Sequence, residues 1–118
     1  HIGRRGADWH TLEAPFELPA VLSACQGPVL LDCLSLWLTN FLVAERDRTA
    51  AENQLIDVIQ YFQHPLVLVS NEVGLGGISA NKLQRDFADA CGLLNQRVAA
   101  VCDQVTFIAA GLPLHLKG

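Results

Sequence analysis

Apolar positions along this 118-residue chain fall into short runs that alternate with helical stripes. Trp9 to Leu12 suits a short strand. Pro15 to Ala24 reads as a helix with Leu18, Val21 and Leu22 on its apolar side, and Gly27-Pro28 punctuates it. Val29 to Cys33 has the length and character of a strand buried on both faces. Leu34 to Val43 changes to helical spacing, with Leu34, Trp37, Leu38, Phe41 and Leu42 on one side. The charged piece Glu45 to Glu52 predicts an exposed loop entering a helix that runs to about Phe62, and Pro65 to Ser70 predicts the next strand. Asn81 with Gln84 then makes a capping-box-like start. Behind it, Leu83, Phe87, Cys91, Leu94, Val98 and Val101 recur every three or four residues. Val105 to Ala109 is the last predicted strand, closed by Gly111 and Pro113. Strands alternating with helices through short loops predict an α/β fold with a parallel sheet and helices on its faces.

Composition narrows the partners. About half of the residues are hydrophobic, enough for the core of one domain over 1–118, and the net charge of -4 argues against a nucleic-acid surface. Anionic substrates must then be met by local groups rather than a global positive field. No apolar run approaches the roughly 20 residues of a membrane span, and no signal-peptide pattern opens the chain. Cys25, Cys33, Cys91 and Cys102 lack CxxC spacing and sit in apolar segments. They read as reduced, buried thiols of a cytoplasmic protein. The chain opens at His1 and contains no Met. It is expected to be an internal piece of a longer protein, although a trimmed chain would look the same.

Two acids stand where chemistry is expected in such a fold, at the ends of strands. Asp32 closes the run Val-Leu-Leu-Asp. A carboxylate there either reaches a magnesium ion or nucleotide hydroxyl, as on a Walker B-type strand, or caps the following helix. Asn71 and Glu72 end the next apolar run and lead into a turn with Gly74, Gly76 and Gly77. Glycines there let the backbone approach a phosphate or ribose, or merely permit positive φ in an ordinary loop. An acid beside an anionic substrate needs a metal, a hydroxyl or a cationic partner such as Arg85. His10, His64 and His115 lack partners at metal-ligand spacing, and a terminal histidine such as His1 is by default a tag remnant or a mobile end.

The spacings in Val67 to Gln96 are more specific than any single residue. Ser70-Asn71-Glu72-Val73-Gly74 with Gly76, followed by Arg85, Phe87, Asp89, Gly92, Asn95 and Gln96, resembles the bifunctional adenosylcobinamide kinase/adenosylcobinamide-phosphate guanylyltransferases of cobalamin biosynthesis. DCLSLWLTN, with Ser35, Thr39 and Asn40, resembles the same family's strand–helix junction. So does His1, standing eight residues before Trp9-x-Thr11-x-Glu13. The similarity extends to the closing GLPLHLKG.

The resemblance implies a P-loop NTPase-like fold and two reactions. One phosphorylates the hydroxyl of adenosylcobinamide with ATP or GTP. The other transfers GMP from GTP to adenosylcobinamide phosphate. It implies that His1 is the nucleophile that carries GMP, a role suited to imidazole near neutral pH. It further implies that Ile2, Gly3, Arg4, Arg5, Glu13 and Asp32 line the nucleotide site, the guanidinium forks matching phosphate oxygens. Asn71, Glu72 and Gly74 are additional candidates. Magnesium is implied as the ion that bridges phosphates, with no protein metal cage. A homo-oligomer is implied too, a trimer being the order expected.

Departures from the pattern are few. Ala88 replaces an Arg, Gly77-Ile78-Ser79 an Ile-Val-Pro type of sequence, and Gly6 a Pro. The family's opening strand and GxxxxGK[ST] loop have no counterpart, so a unit of roughly 30 or more residues is expected to be missing here. Two rival readings differ in class: a non-catalytic nucleotide-binding or interaction module, and another P-loop kinase without a covalent step. The sequence immediately upstream of His1 separates them.

Overall fold

The computed structural model describes residues 9–73 and 81–118. Its elements in order are α1 (Leu18–Ala24), β1 (Val29–Asp32), α2 (Leu34–Val43), α3 (Thr49–Tyr61), β2 (Leu66–Val69), α4 (Lys82–Val101), β3 (Val105–Ala109) and β4 (Leu112–Lys117).

Local chemistry explains most boundaries. Pro19 sits in the first turn of α1, where its missing N–H leaves no helical bond unmade. α2 is capped by Cys33, whose Sγ accepts from Leu36 N at 3.4 Å. The Asp47 carboxylate accepts from Thr49 N at 3.0 Å just before α3, and that bond holds its pKa below the ordinary value. Asn81 Oδ1 accepts from Gln84 N at 3.2 Å and so starts α4 at the expected residue.

β1 and β2 pair in parallel, from Val29 opposite Leu66 to Asp32 opposite Val69. Partners in register share a face. Leu31 is buried, while Val29, Leu66 and Leu68 pack against the helical core. The core itself joins Leu22 of α1, Leu34, Trp37, Leu38 and Phe41 of α2, Leu55 and Ile59 of α3, and Ala90, Cys91, Leu94 and Val98 of α4. The opposite sheet face carries Leu30, Asp32, Val67 and Val69, all exposed. Helices on both faces, and a β1 buried on both, were the expectation. Among the described residues only one face is covered, and burial along both strands alternates accordingly.

Two further expectations change. Trp9 to Leu12 is exposed and irregular rather than a strand. β3 does not extend the parallel pair: it forms an antiparallel hairpin with β4, in which Pro113 lies opposite Ile108. The turn residues Ala110 and Gly111 have φ of 54° and 74°. Positive φ at both positions belongs to a two-residue turn whose twist matches the strands. Lys117 Nζ then donates to the carbonyls of Ala99 and Ala100 at 2.9 and 3.2 Å, which binds β4 to the last turn of α4. Those carbonyls lie where a helix leaves acceptors unmade and favours a cation. No helix among the described residues is long and apolar enough to cross a membrane.

Candidate functional site

β1 and β2 run in the same direction, so Asp32 and the residues after Val69 emerge at one edge of the sheet. In α/β folds that carboxyl edge is where ligands bind. Asp32 is exposed there, and the helix after it is capped by Cys33, so the capping role falls to the neighbouring residue.

A cleft of about 970 Å³ opens beside β1, between the segment Trp9 to Pro15, α1 and the first half of α2. Glu13 and Asp32 both line it, as do Leu30, Leu36, Trp37 and Asn40. Its volume is within the range of small-molecule sites, roughly 300–1,000 Å³. Two long-range bonds hold the irregular wall in place. Asn40 Nδ2 donates to the Pro15 carbonyl at 2.9 Å, and Trp37 Nε1 donates to the Phe16 carbonyl at 3.1 Å. The Phe16 ring meets Phe41 edge-on at 5.2 Å, and the Arg46 guanidinium lies 3.9 Å from the Phe16 centroid. A segment without secondary structure is thereby anchored to α2 just after Glu13.

Asn71 and Glu72 are not among the residues lining this cleft. They follow β2 and are exposed, and Asn71 is held by side chains from α2 and α4. The Cys91 thiol lies 3.7 Å from the Asn71 carbonyl. Burial pushes this thiol above the ordinary range; the neighbouring Ser70 and Asn95 side chains oppose the shift and the charge of Glu72 adds to it. Among the described residues no three His, Cys, Asp or Glu side chains gather as a metal cage.

The structure thus brings Glu13 and Asp32 to one cleft and places Asn71 and Glu72 at the same sheet edge. The expectations for His1, Ile2, Gly3, Arg4, Arg5 and Gly74 lie outside the described residues. Trp37, Asn40, Ser35 and Asn95 carried no role in the sequence reading. For Trp37 the available signal was its indole N–H, which needs a partner when the ring is buried.

In an α/β protein, acidic and amide side chains at the carboxyl edge of parallel strands mark that edge as the candidate ligand site. Comparison with known proteins identifies the family. The family described as cobinamide kinase / cobinamide phosphate guanyltransferase matches residues 1–116, and the chain belongs to it. It is therefore an enzyme sequence of kinase and guanylyltransferase type. The bifunctional adenosylcobalamin biosynthesis protein CobP of Pseudomonas aeruginosa is 44% identical over 123 residues, covering 100% of this chain and 71% of its own length. The CobU proteins of Salmonella typhimurium and Escherichia coli, which carry the same bifunctional description, are 33% and 30% identical over 135 residues. In each case 99% of this chain and 75% of the relative are covered.

Proposed function

We propose that the enzyme phosphorylates the hydroxyl of adenosylcobinamide with ATP or GTP, and then converts the phosphate to adenosylcobinamide-GDP through a guanylylated His1. In the second reaction an imidazole nitrogen of His1 attacks the α-phosphorus of GTP, and pyrophosphate leaves with the bond to the bridging oxygen. A phosphate oxygen of adenosylcobinamide phosphate then attacks the same phosphorus. The P–N bond breaks, the imidazole returns, and the new pyrophosphate linkage is that of the GDP product. Imidazole suits both steps, being nucleophilic when neutral and a good leaving group when protonated.

The observation that supports this reading best is the shared cleft of Glu13 and Asp32, since both belong to the nucleotide-site pattern that begins at His1. Glu13 supplies an acceptor for base N–H groups or ribose hydroxyls, Asp32 either does the same or reaches the magnesium ion, and Arg4 and Arg5 supply cations for the phosphates. Asn71 and Glu72 stand at the same edge, and Gly74 is a further candidate for contact with the nucleotide. A magnesium ion would be held chiefly by the phosphates and one carboxylate, Asp32. The exposed strand-end acid fits that ion. When bound, it neutralises phosphate charge. We infer a homo-oligomer, with a trimer as the order to test by light scattering.

Mass spectrometry with α-labelled GTP tests the covalent step. The expected result is one GMP per chain, lost in His1→Asn. Label that never attaches, or that persists in His1→Asn, removes His1 from the reaction.

A further inference from the structure

Two residues past the last paired position of β2, the backbone of Asn71 is gripped from both sides by side chains. Its N–H donates to Ser35 Oγ, in the first turn of α2, at 3.1 Å. Its carbonyl accepts from Asn95 Nδ2, in the middle of α4, at 3.0 Å. Asn95 is itself held, because its Oδ1 accepts from Ser70 Oγ at 2.6 Å. Ser35 is 2% exposed and is the one buried polar side chain among the described residues. A hydroxyl at such a position costs stability unless its bonds are made. Here its strong partner is the backbone of another segment, with the Cys33 sulfur at 3.5 Å as a second contact.

The geometry has a definite effect on the next residue. The N–H of Asn71 belongs to the peptide plane before it, and the carbonyl to the plane after it. Each plane is rigid, so fixing both leaves φ and ψ of Asn71 no freedom. The second plane ends at the Cα of Glu72, which is thereby set relative to α2, α4 and the edge of the sheet.

We propose that Ser35 and Asn95 are positioning residues of the transfer site: they hold the Asn71 backbone so that Glu72 stands at a fixed point on the edge shared with Asp32. Neither touches substrate. The inference rests on the reading of this edge as the site of phosphoryl and guanylyl transfer. A positioned group loses activity steeply when displaced, by up to about a hundredfold for a shift near 1 Å.

Ser35→Ala and Asn95→Asp, made in the whole enzyme, test it. Asn95→Asp keeps size and an acceptor for Ser70, but faces the Asn71 carbonyl with oxygen in place of the donor. Arg97→Ala is the structural control: it removes a 2.8 Å bond from α4 to Asn53 Oδ1 within α3, away from Asn71. Thermal midpoints are measured together with kcat and KM for cobinamide phosphorylation and for guanylyl transfer. The expected result is a fall in kcat of about tenfold to a hundredfold in at least one reaction, with KM changed less. Arg97→Ala stays within about twofold of the unmutated enzyme. Combined with Glu72→Gln, Asn95→Asp adds no further loss, as expected for residues acting through one group.

Rates that follow the thermal midpoint alone, effects that multiply with Glu72→Gln, or a silent Glu72→Gln each overturn the proposal. If the unmutated enzyme performs neither reaction, the functional reading fails and takes this inference with it. An active enzyme with unaffected variants removes the inference alone.

Discussion

The indole N–H of Trp37 reaches the carbonyl of Phe16, 3.1 Å away and 21 positions earlier in the chain. That bond ties the floor of the cleft to its irregular wall. Trp37 is 3% exposed and Phe16 is half-buried, so the indole N–H has no ready access to water if its acceptor is removed.

Trp37→Phe keeps most of the ring but leaves the carbonyl without its donor. A loss of about 1–3 kcal/mol is expected for the unmade bond. Denaturant titration measures it. Because Glu13 lies three residues before Phe16, the KM for GTP in guanylyl transfer should rise with it. A stability loss with unchanged KM would separate the wall from the nucleotide site.

Arg46 covers Phe16 at 3.9 Å and reaches Phe41 at 5.6 Å. Arg46→Ala is expected to cost about 0.5–1 kcal/mol, the range of an exposed cation–π contact, plus some lost stem packing. Thermal melts of Arg46→Ala and Arg46→Lys distinguish charge from guanidinium stacking. Retention in the lysine variant assigns the effect to charge.

Burial raises the thiol pKa of both Cys91 and Cys102. The folded state therefore favours the protonated thiol. This contribution is fully present below the unfolded thiol pKa of about 8.5, and it is lost as pH rises through the folded values. Stability should decline on the alkaline side of that value, and Cys91→Ala/Cys102→Ala should flatten the decline. Urea melts between pH 7 and 10 follow it. An identical slope in the double variant would assign the alkaline loss to other groups.

Leu30, Val67 and Val69 stand exposed on one face of β1 and β2. A contiguous apolar patch of this kind promotes association. The chain is expected to self-associate, as light scattering would register. Val67→Thr should lower the association without unfolding the protein, since Val67 is 60% exposed. A clean monomer, unchanged by Val67→Thr, contradicts the expectation.

Helical spacing located α2 to the residue, and the Asn81 cap located the start of α4, because both signals are local. The β3–β4 hairpin was not legible. Ala110-Gly111 is a weaker turn signal than Asn-Gly, and Pro113 reads as a terminator until its place opposite Ile108 is known. One-sided burial of β1 was likewise hidden, because a short apolar run does not disclose which face is covered. Asp32 could be read as a strand-end acid from the sequence itself. Glu13 became a candidate through resemblance alone, and no local pattern would have carried it to a cleft beside β1. Ser35 and Asn95 stood within the recognised spacings without a role, since a side chain that grips a distant backbone leaves no periodic trace.

The grip on Asn71 also bears on the order in which the molecule is made. Its two bonds close gaps of 36 and 24 residues, and the second cannot form until α4 has been synthesised. Closing such loops costs chain entropy before any contact repays it. The placement of Glu72 is thus a late product of folding. A refolding chain should regain its helical signal before it regains catalytic competence.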